Sequence, residues 1–136
     1  MEYDYKIKTH NKVFKKNKFI YKFFKSAKKY NNEKNFYLEC KDKLDFIPTL
    51  FYFSDKRLLL IINNCGIPIK KNEFIDNIQI IKDLYNKIIN LTGYYHNDLW
   101  YRNVLRKDKK YYIIDFESSG KEFKDIHKNS KEVYIN

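Results

Sequence analysis

The sequence predicts an α+β domain, and three observations carry that prediction. Runs rich in Tyr, Ile, Val and Phe occupy residues 3–25 and suit short strands. Apolar residues recur at helical spacing over 72–91. A polar loop, Tyr94 to Leu105, then leads into the apolar stretch Tyr111 to Asp115. Strands and one helix come first, a long helix second, and a loop and strand last.

Taken in order, breaks at His10-Asn11 and Asn17 divide residues 3–25 into two or three strands of a meander. From Phe19 to Phe24, period-two alternation puts Ile20, Lys22 and Phe24 on one face. Residues 26–40 read as a helix, with Ser26 as N-cap and Ala27, Tyr30 and Tyr37 as its inner stripe. After Pro48, strands are expected at Thr49 to Phe53 and Leu58 to Ile62, joined by the turn Ser54-Asp55-Lys56. The stretch Asn63-Asn64-Cys65-Gly66 reads as a crossing loop. The helix over 72–91 carries Phe74, Ile75, Ile78, Ile81, Leu84, Tyr85, Ile88 and Leu91, with Asn72 as cap and Gly93 as stop. From Glu117 onward the chain is polar and weakly patterned. Without a repeat or a Gly/Ser linker, one domain is expected.

Composition bounds the function more loosely. Aromatic residues make up 18% of the 136 residues and hydrophobic ones 43%, enough for a packed core. The formal charge of +11 suits polyanionic partners, such as nucleotides, nucleic acid or an acidic surface. Joint enrichment of Lys, Asn, Ile and Tyr also follows from AT-rich coding, with no partner involved. Cys40 and Cys65 stand apart without metal-ligand spacing, so neither a zinc site nor a disulfide framework is expected. The longest aliphatic run, Leu58 to Ile62, is far too short to span a bilayer, and Met1-Glu2-Tyr3-Asp4 lacks a signal-peptide core. An intracellular protein, in the cytoplasm, with no membrane partner is the expectation.

The most informative segment is His96-Asn97-Asp98-Leu99-Trp100-Tyr101-Arg102-Asn103-Val104-Leu105, followed by Ile113-Ile114-Asp115-Phe116. It resembles the catalytic loop HxDLxxxN and the apolar-apolar-DFG motif of the protein-kinase-like superfamily. Phosphoryl transfer needs a carboxylate near the attacking hydroxyl and oxygen ligands for the Mg²⁺ that bridges the phosphates. The resemblance implies that Asp98 is the catalytic base or orients the hydroxyl, with His96 buttressing the loop and Arg102 beside it. Asn103 and Asp115 would hold the metal. Lys22 would grip the ATP phosphates, with Glu33 as its ion-pair partner and Lys25 and Glu39 as local rivals. Adenine would meet the backbone near Ile62 to Asn64. The implied fold is a truncated protein-kinase-like domain: an N-lobe over about 1–62, a hinge at about 63–67 and a reduced C-lobe over about 68–136.

Several positions depart from that pattern. No glycine precedes Gly66, so the phosphates would be covered by the hairpin around 8–15, through Lys12 or Lys15. Asn97 replaces the arginine of HRD, which argues against control by a phosphorylated activation loop. Glu117 replaces the glycine of DFG. Such departures resemble RIO-type and aminoglycoside- or choline-phosphotransferase-like kinases. Residues 118–136 are too short and polar to replace the helices that normally bind a peptide, which implies a minimal kinase, a truncated relic or a half-domain whose C-lobe a protein partner completes. The leading expectation is an ATP- and Mg²⁺-dependent kinase acting on a protein or small-molecule hydroxyl. The alternative is a pseudokinase-like module that binds nucleotide or a partner without turnover. A basic nucleic-acid-binding protein, based on Lys and aromatics interleaved over 12–37, leaves the 94–117 pattern unexplained.

Overall fold

Each apolar run in the first half of the chain pairs with another across a single antiparallel sheet. The fold is that of a computed structural model, which describes residues 5–7, by backbone pairing only, and 11–124. Strands β1 (Tyr5–Ile7), β2 (Lys12–Lys16) and β3 (Phe19–Phe23) form a meander, and Asn17 takes the left-handed φ of 55° that the tight β2–β3 turn needs. Helix α1 (Ala27–Cys40) follows, then β4 (Leu50–Ser54) and β5 (Leu59–Asn63). The sheet order is β1-β2-β3-β5-β4. The aliphatic strand β5 lies between β3 and β4, as a strand buried on both sides should. Lys22 sits on β3 between Val13 and Leu60, facing inward.

Ser26 caps α1 as expected, its Oγ accepting from the Lys29 N–H at 3.2 Å. Tyr30 and Tyr37 are buried, but Ala27 is exposed. Glu33, Phe36 and Cys40 complete the inner face instead. A polar residue in a buried stripe escapes a hydrophobic-periodicity argument; here the missing observation is the partner of Glu33 across the sheet.

Beyond β5 the chain crosses through Gly66 (φ 133°) to β6 (Ile67–Pro68). A Cβ at Gly66 would lie 2.3 Å from the Arg106 carbonyl oxygen, so this crossing requires glycine. The single helix expected over 72–91 is two: α2 (Lys71–Asp76) and α3 (Ile78–Thr92). Asn77 interrupts them, its side-chain Nδ2 donating to the Glu73 carbonyl at 2.9 Å. Lys70, rather than Asn72, occupies the N-cap position. Ile81, Tyr85 and Ile88 are buried with Thr92 on one stripe of α3, whereas Leu91, off that stripe, and Ile75 on α2 face outward. Gly93 ends α3 at φ 75°, its N–H donating to the Ile89 carbonyl at 2.9 Å.

After the loop, a 3₁₀ turn (Tyr101–Asn103) leads into β7 (Val104–Lys107) and β8 (Lys110–Ile113), which complete a small sheet of order β6-β7-β8. Val104 and Leu105 therefore belong to a strand rather than to the predicted loop. One apolar cluster joins the two halves: Phe36 and Tyr37 from α1 meet Ile81 and Ile88 from α3 and Leu99, Ile113 and Phe116 from the C-terminal motifs. The rings of Phe36 and Phe116 stack at 3.8 Å and 9°, a contact worth about 0.5–1.5 kcal/mol beyond its buried area. Cys40 and Cys65 are buried free thiols, and burial pushes the Cys65 thiol up to about 11. Among the described residues, no helix is long and apolar enough to cross a membrane.

Candidate active site

The loop after α3 is built around a buried imidazole. His96 Nδ1 accepts the Asp98 backbone N–H at 3.1 Å, so the proton sits on Nε2, which donates to the Ile114 carbonyl at 2.7 Å. Burial holds its pKa below the usual value, against the opposing effect of that carbonyl and of Asp98 and Asp115. The ring is therefore a neutral brace between the loop and the stretch after β8. Leu99, almost fully buried, pins the loop from below. Asn103, at the end of the 3₁₀ turn, donates from Nδ2 to the Asp98 carbonyl at 2.7 Å and, at 3.4 Å, to its Oδ2. The Asn103 carbonyl accepts the Ile114 N–H at 3.0 Å. Asp98, Asn103 and the residue preceding Asp115 thus form one bonded unit.

Asp115 follows in the left-handed region at φ 69°, a conformation Asp tolerates better than most residues. Its Oδ1 forms an ion pair with Lys22, whose Nζ also lies 2.7 Å from Glu33 Oε1 and 4.0 Å from Glu117 Oε2. Tyr37 donates its hydroxyl to Glu33 Oε2 at 2.7 Å, and Asn11 donates from Nδ2 to Glu117 Oε2 at 2.8 Å. Burial alone would lower the Lys22 pKa, but Asp115, Glu33 and Glu117 together outweigh it and hold the ammonium charged. Three carboxylates share that one ammonium. Glu33 lies deepest, with no exposed surface, and burial raises its pKa despite Lys22 beside it. Such a cluster costs stability unless something neutralises it.

The residues singled out from sequence fall into two groups. Lys22, Glu33, His96, Asp98, Asn103 and Asp115 come together in this network. The local rivals lie elsewhere: Lys25 is exposed, and Glu39 engages Tyr94 and Lys121. Arg102 is on the rim, its guanidinium 4.8 Å above the Trp100 ring and its Nε 3.3 Å from the Tyr101 hydroxyl. Ile62 lies within the sheet, opposite Ile20 on one side and Leu50 on the other. The N–H groups of Asn63 and Asn64 donate to the Thr49 and Lys18 carbonyls, so an adenine at this edge would compete with those bonds. Lys12 is exposed and Lys15 half-buried; the rest of the hairpin tip, residues 8–10, lies outside the described residues, as does 125–136 of the polar tail.

Sequence reasoning missed Asn11, Tyr37 and Glu117 as members of the cluster. Glu117 was noticed only as a missing glycine, although an Asp-Phe-Glu run places two carboxylates near one strand end. For a divalent cation the fit is good. Carboxylate oxygens of Glu33, Asp115 and Glu117 all lie within 4.8 Å of one another, and hard oxygen donors suit Mg²⁺.

No family model matches the chain, and no curated protein sequence does. Solved structures of similar fold do exist. A high-resolution crystal structure of WbdD aligns with a TM-score of 0.67 at 13% identity, covering 90% of this chain and 34% of that one. A co-crystal of WbdD with the kinase inhibitor LY294002 aligns with a TM-score of 0.65 at 13% identity, covering 89% and 33%. The chain thus shares its fold with part of WbdD and spans about a third of that protein's length.

Proposed function

We propose that the chain is an ATP-dependent phosphotransferase that moves the γ-phosphate to a hydroxyl of a protein or small molecule. One observation carries this reading: Asp115, which pairs with Lys22 of the Lys22–Glu33 pair, directly follows Ile114, whose backbone is bonded to Asn103 and His96 of the Asp98 loop. A kinase inhibitor bound to a protein of the same fold supports it. Asp115 and Asn103, with Glu117 beside them, would hold Mg²⁺, which supplies charge neutralisation at the phosphates. Lys22 Nζ would turn from Asp115 toward a phosphate oxygen while keeping Glu33. Asp98, fixed by Asn103 and by the His96 brace, would orient the acceptor hydroxyl and take its proton on a carboxylate oxygen. His96, neutral and buried, holds geometry and moves no proton.

Two assays test the proposal. Mg·ATP at 100 times Kd should stabilise the protein by about 2.7 kcal/mol in a thermal-shift titration. Phosphate transfer or ATP hydrolysis should then exceed that of Asp98→Asn and Asp115→Ala. Turnover by wild type no faster than by Asp115→Ala would sink the enzyme reading in favour of the second, a pseudokinase-like module that binds nucleotide or a partner without turnover. The Asn11–Glu117 contact favours that alternative, because it seats Asn11, just before β2, against a carboxylate of the cluster.

A further inference from the structure

We propose that Asn97 is a positioning residue for the phosphate grip, acting on Lys22 and Glu33 through a strap formed by residues 117–124. The inference rests on the phosphotransferase reading for its consequence, but the strap itself is a matter of bonding.

Asn97 is 1% exposed and holds a left-handed φ of 69°. Its Nδ2 donates to the Ser118 and Glu122 carbonyls, both at 3.0 Å, and its Oδ1 accepts the Lys124 N–H at 2.8 Å. One amide thus secures three points along the strap. Next to it, Tyr95 and Gly120 exchange both backbone hydrogen bonds, at 2.8 and 3.2 Å. The other side of the strap grips α1. Asn32 Nδ2 donates to the Glu117 carbonyl at 3.1 Å, and Ser119 Oγ donates to the Asn32 carbonyl at 3.4 Å. Lys121 bonds Glu39 Oε1 at 3.1 Å and the Thr92 carbonyl at 2.7 Å, joining α1 to the end of α3.

Asn32 immediately precedes Glu33, so the strap fixes the turn of α1 that presents the Lys22 partner. Except for those of Lys121, all these bonds run between neutral groups: amides, carbonyls and the Ser119 hydroxyl. At Asn32 the strap therefore holds α1 through neutral hydrogen bonds alone, and only the Lys121–Glu39 pair adds charge. Asn suits position 97 because its short amide both tolerates the left-handed backbone and supplies two donors and an acceptor.

The test uses Asn97→Asp, which keeps Oδ1 but loses both donors, and Asn32→Ala, which cuts the strap from α1. Hydrogen exchange is read on α1, on residues 117–124 and, as an internal reference, on β7–β8. Both variants should speed exchange in α1 while leaving β7–β8 unchanged; unchanged α1 exchange in both overturns the proposal. Mg·ATP affinity is then measured by fluorescence titration with and without Lys22→Met. Asn97→Asp should weaken binding about tenfold when Lys22 is present and leave it unaltered when Lys22 is Met. An equal loss in both backgrounds marks a merely structural role and overturns the proposal. Should wild type bind no Mg·ATP, the phosphotransferase reading fails, and the exchange result still decides whether the strap positions α1. Asn32→Ala keeps that decision open to experiment even if Asn97→Asp does not fold.

Discussion

The protein handles charge in two contrasting ways. Arg106 pairs with Glu73 at 3.0 Å on the flank of the small sheet, with both side chains partly in solvent. Around Lys22, three carboxylates crowd one ammonium in the interior, and two of them are nearly sealed off. Exposed pairs are worth little because water and salt screen them and two long side chains must be ordered. Buried clusters carry desolvation costs that well-packed apolar residues of similar volume avoid. A fold seeking stability alone would have no use for the second arrangement. The contrast separates charges that decorate the surface from charges kept in the interior at a cost to stability.

Four measurements would break or sharpen that contrast. Lys22→Met leaves Glu33, Asp115 and Glu117 without their shared counter-charge, and is expected to destabilise the protein by about 3–5 kcal/mol; denaturant unfolding at neutral pH measures it. A loss below 1 kcal/mol would mean that water already neutralises the cluster. Next comes Asp115→Ala, expected to abolish the Mg·ATP-dependent rise in melting temperature more completely than Lys22→Met does. Asp115 would hold the ion itself, while neighbouring lysines could partly stand in for Lys22. Equal stabilisation of wild type and Asp115→Ala by Mg·ATP would contradict the assignment.

The third concerns pH. His96 has a depressed pKa in the fold, so between its ordinary value near 6.5 and its folded value the unfolded chain binds more protons. Stability should therefore fall as pH drops below about 6.5, and His96→Gln should flatten that part of the profile. Asp98, Asp115 and Lys22 also face the ring, so the comparison is made variant against wild type. Glu33 works in the opposite sense: its raised pKa favours the protonated acid, so its contribution to stability is lost as pH rises through the folded value. Smallest of all, Glu73→Gln should cost at most about 1 kcal/mol, and less in high salt. Tyr111 also donates to Glu73, at 2.9 Å, so a larger loss would point to that bond rather than to the ion pair.

The same contrast explains what could be read from the chain beforehand. Strands β2 to β5 and the stop of α3 follow from local rules: alternation, a serine cap and a glycine in left-handed conformation. The bonding of Asp98 to Asn103, and of Asn103 to the residue before Asp115, was legible because motif spacing and a helix-loop-strand context both point to one place. Glu33 was found through resemblance, but its burial was not, since Ala27 looks the better inner residue until Lys22 is placed opposite. The break at Asn77 was hidden by an apolar pattern that runs on across two helices. Asn97 and Asn11 stood out only as a departure from the motif and a strand break, and their roles were hidden: each acts on carbonyls or a carboxylate distant in sequence, and only tertiary structure brings those together.

The glycine at position 66 has a mechanical consequence. Its α-carbon is wedged against the backbone of β7, where even one methyl group would collide with the Arg106 oxygen. The passage from the large sheet to the small one is therefore a rivet rather than a slack tether. Any substitution there must either pry β6 from β7 or tilt one sheet against the other, and the loop carrying His96, Asp98 and Asn103, which leads into β7, would tilt with it.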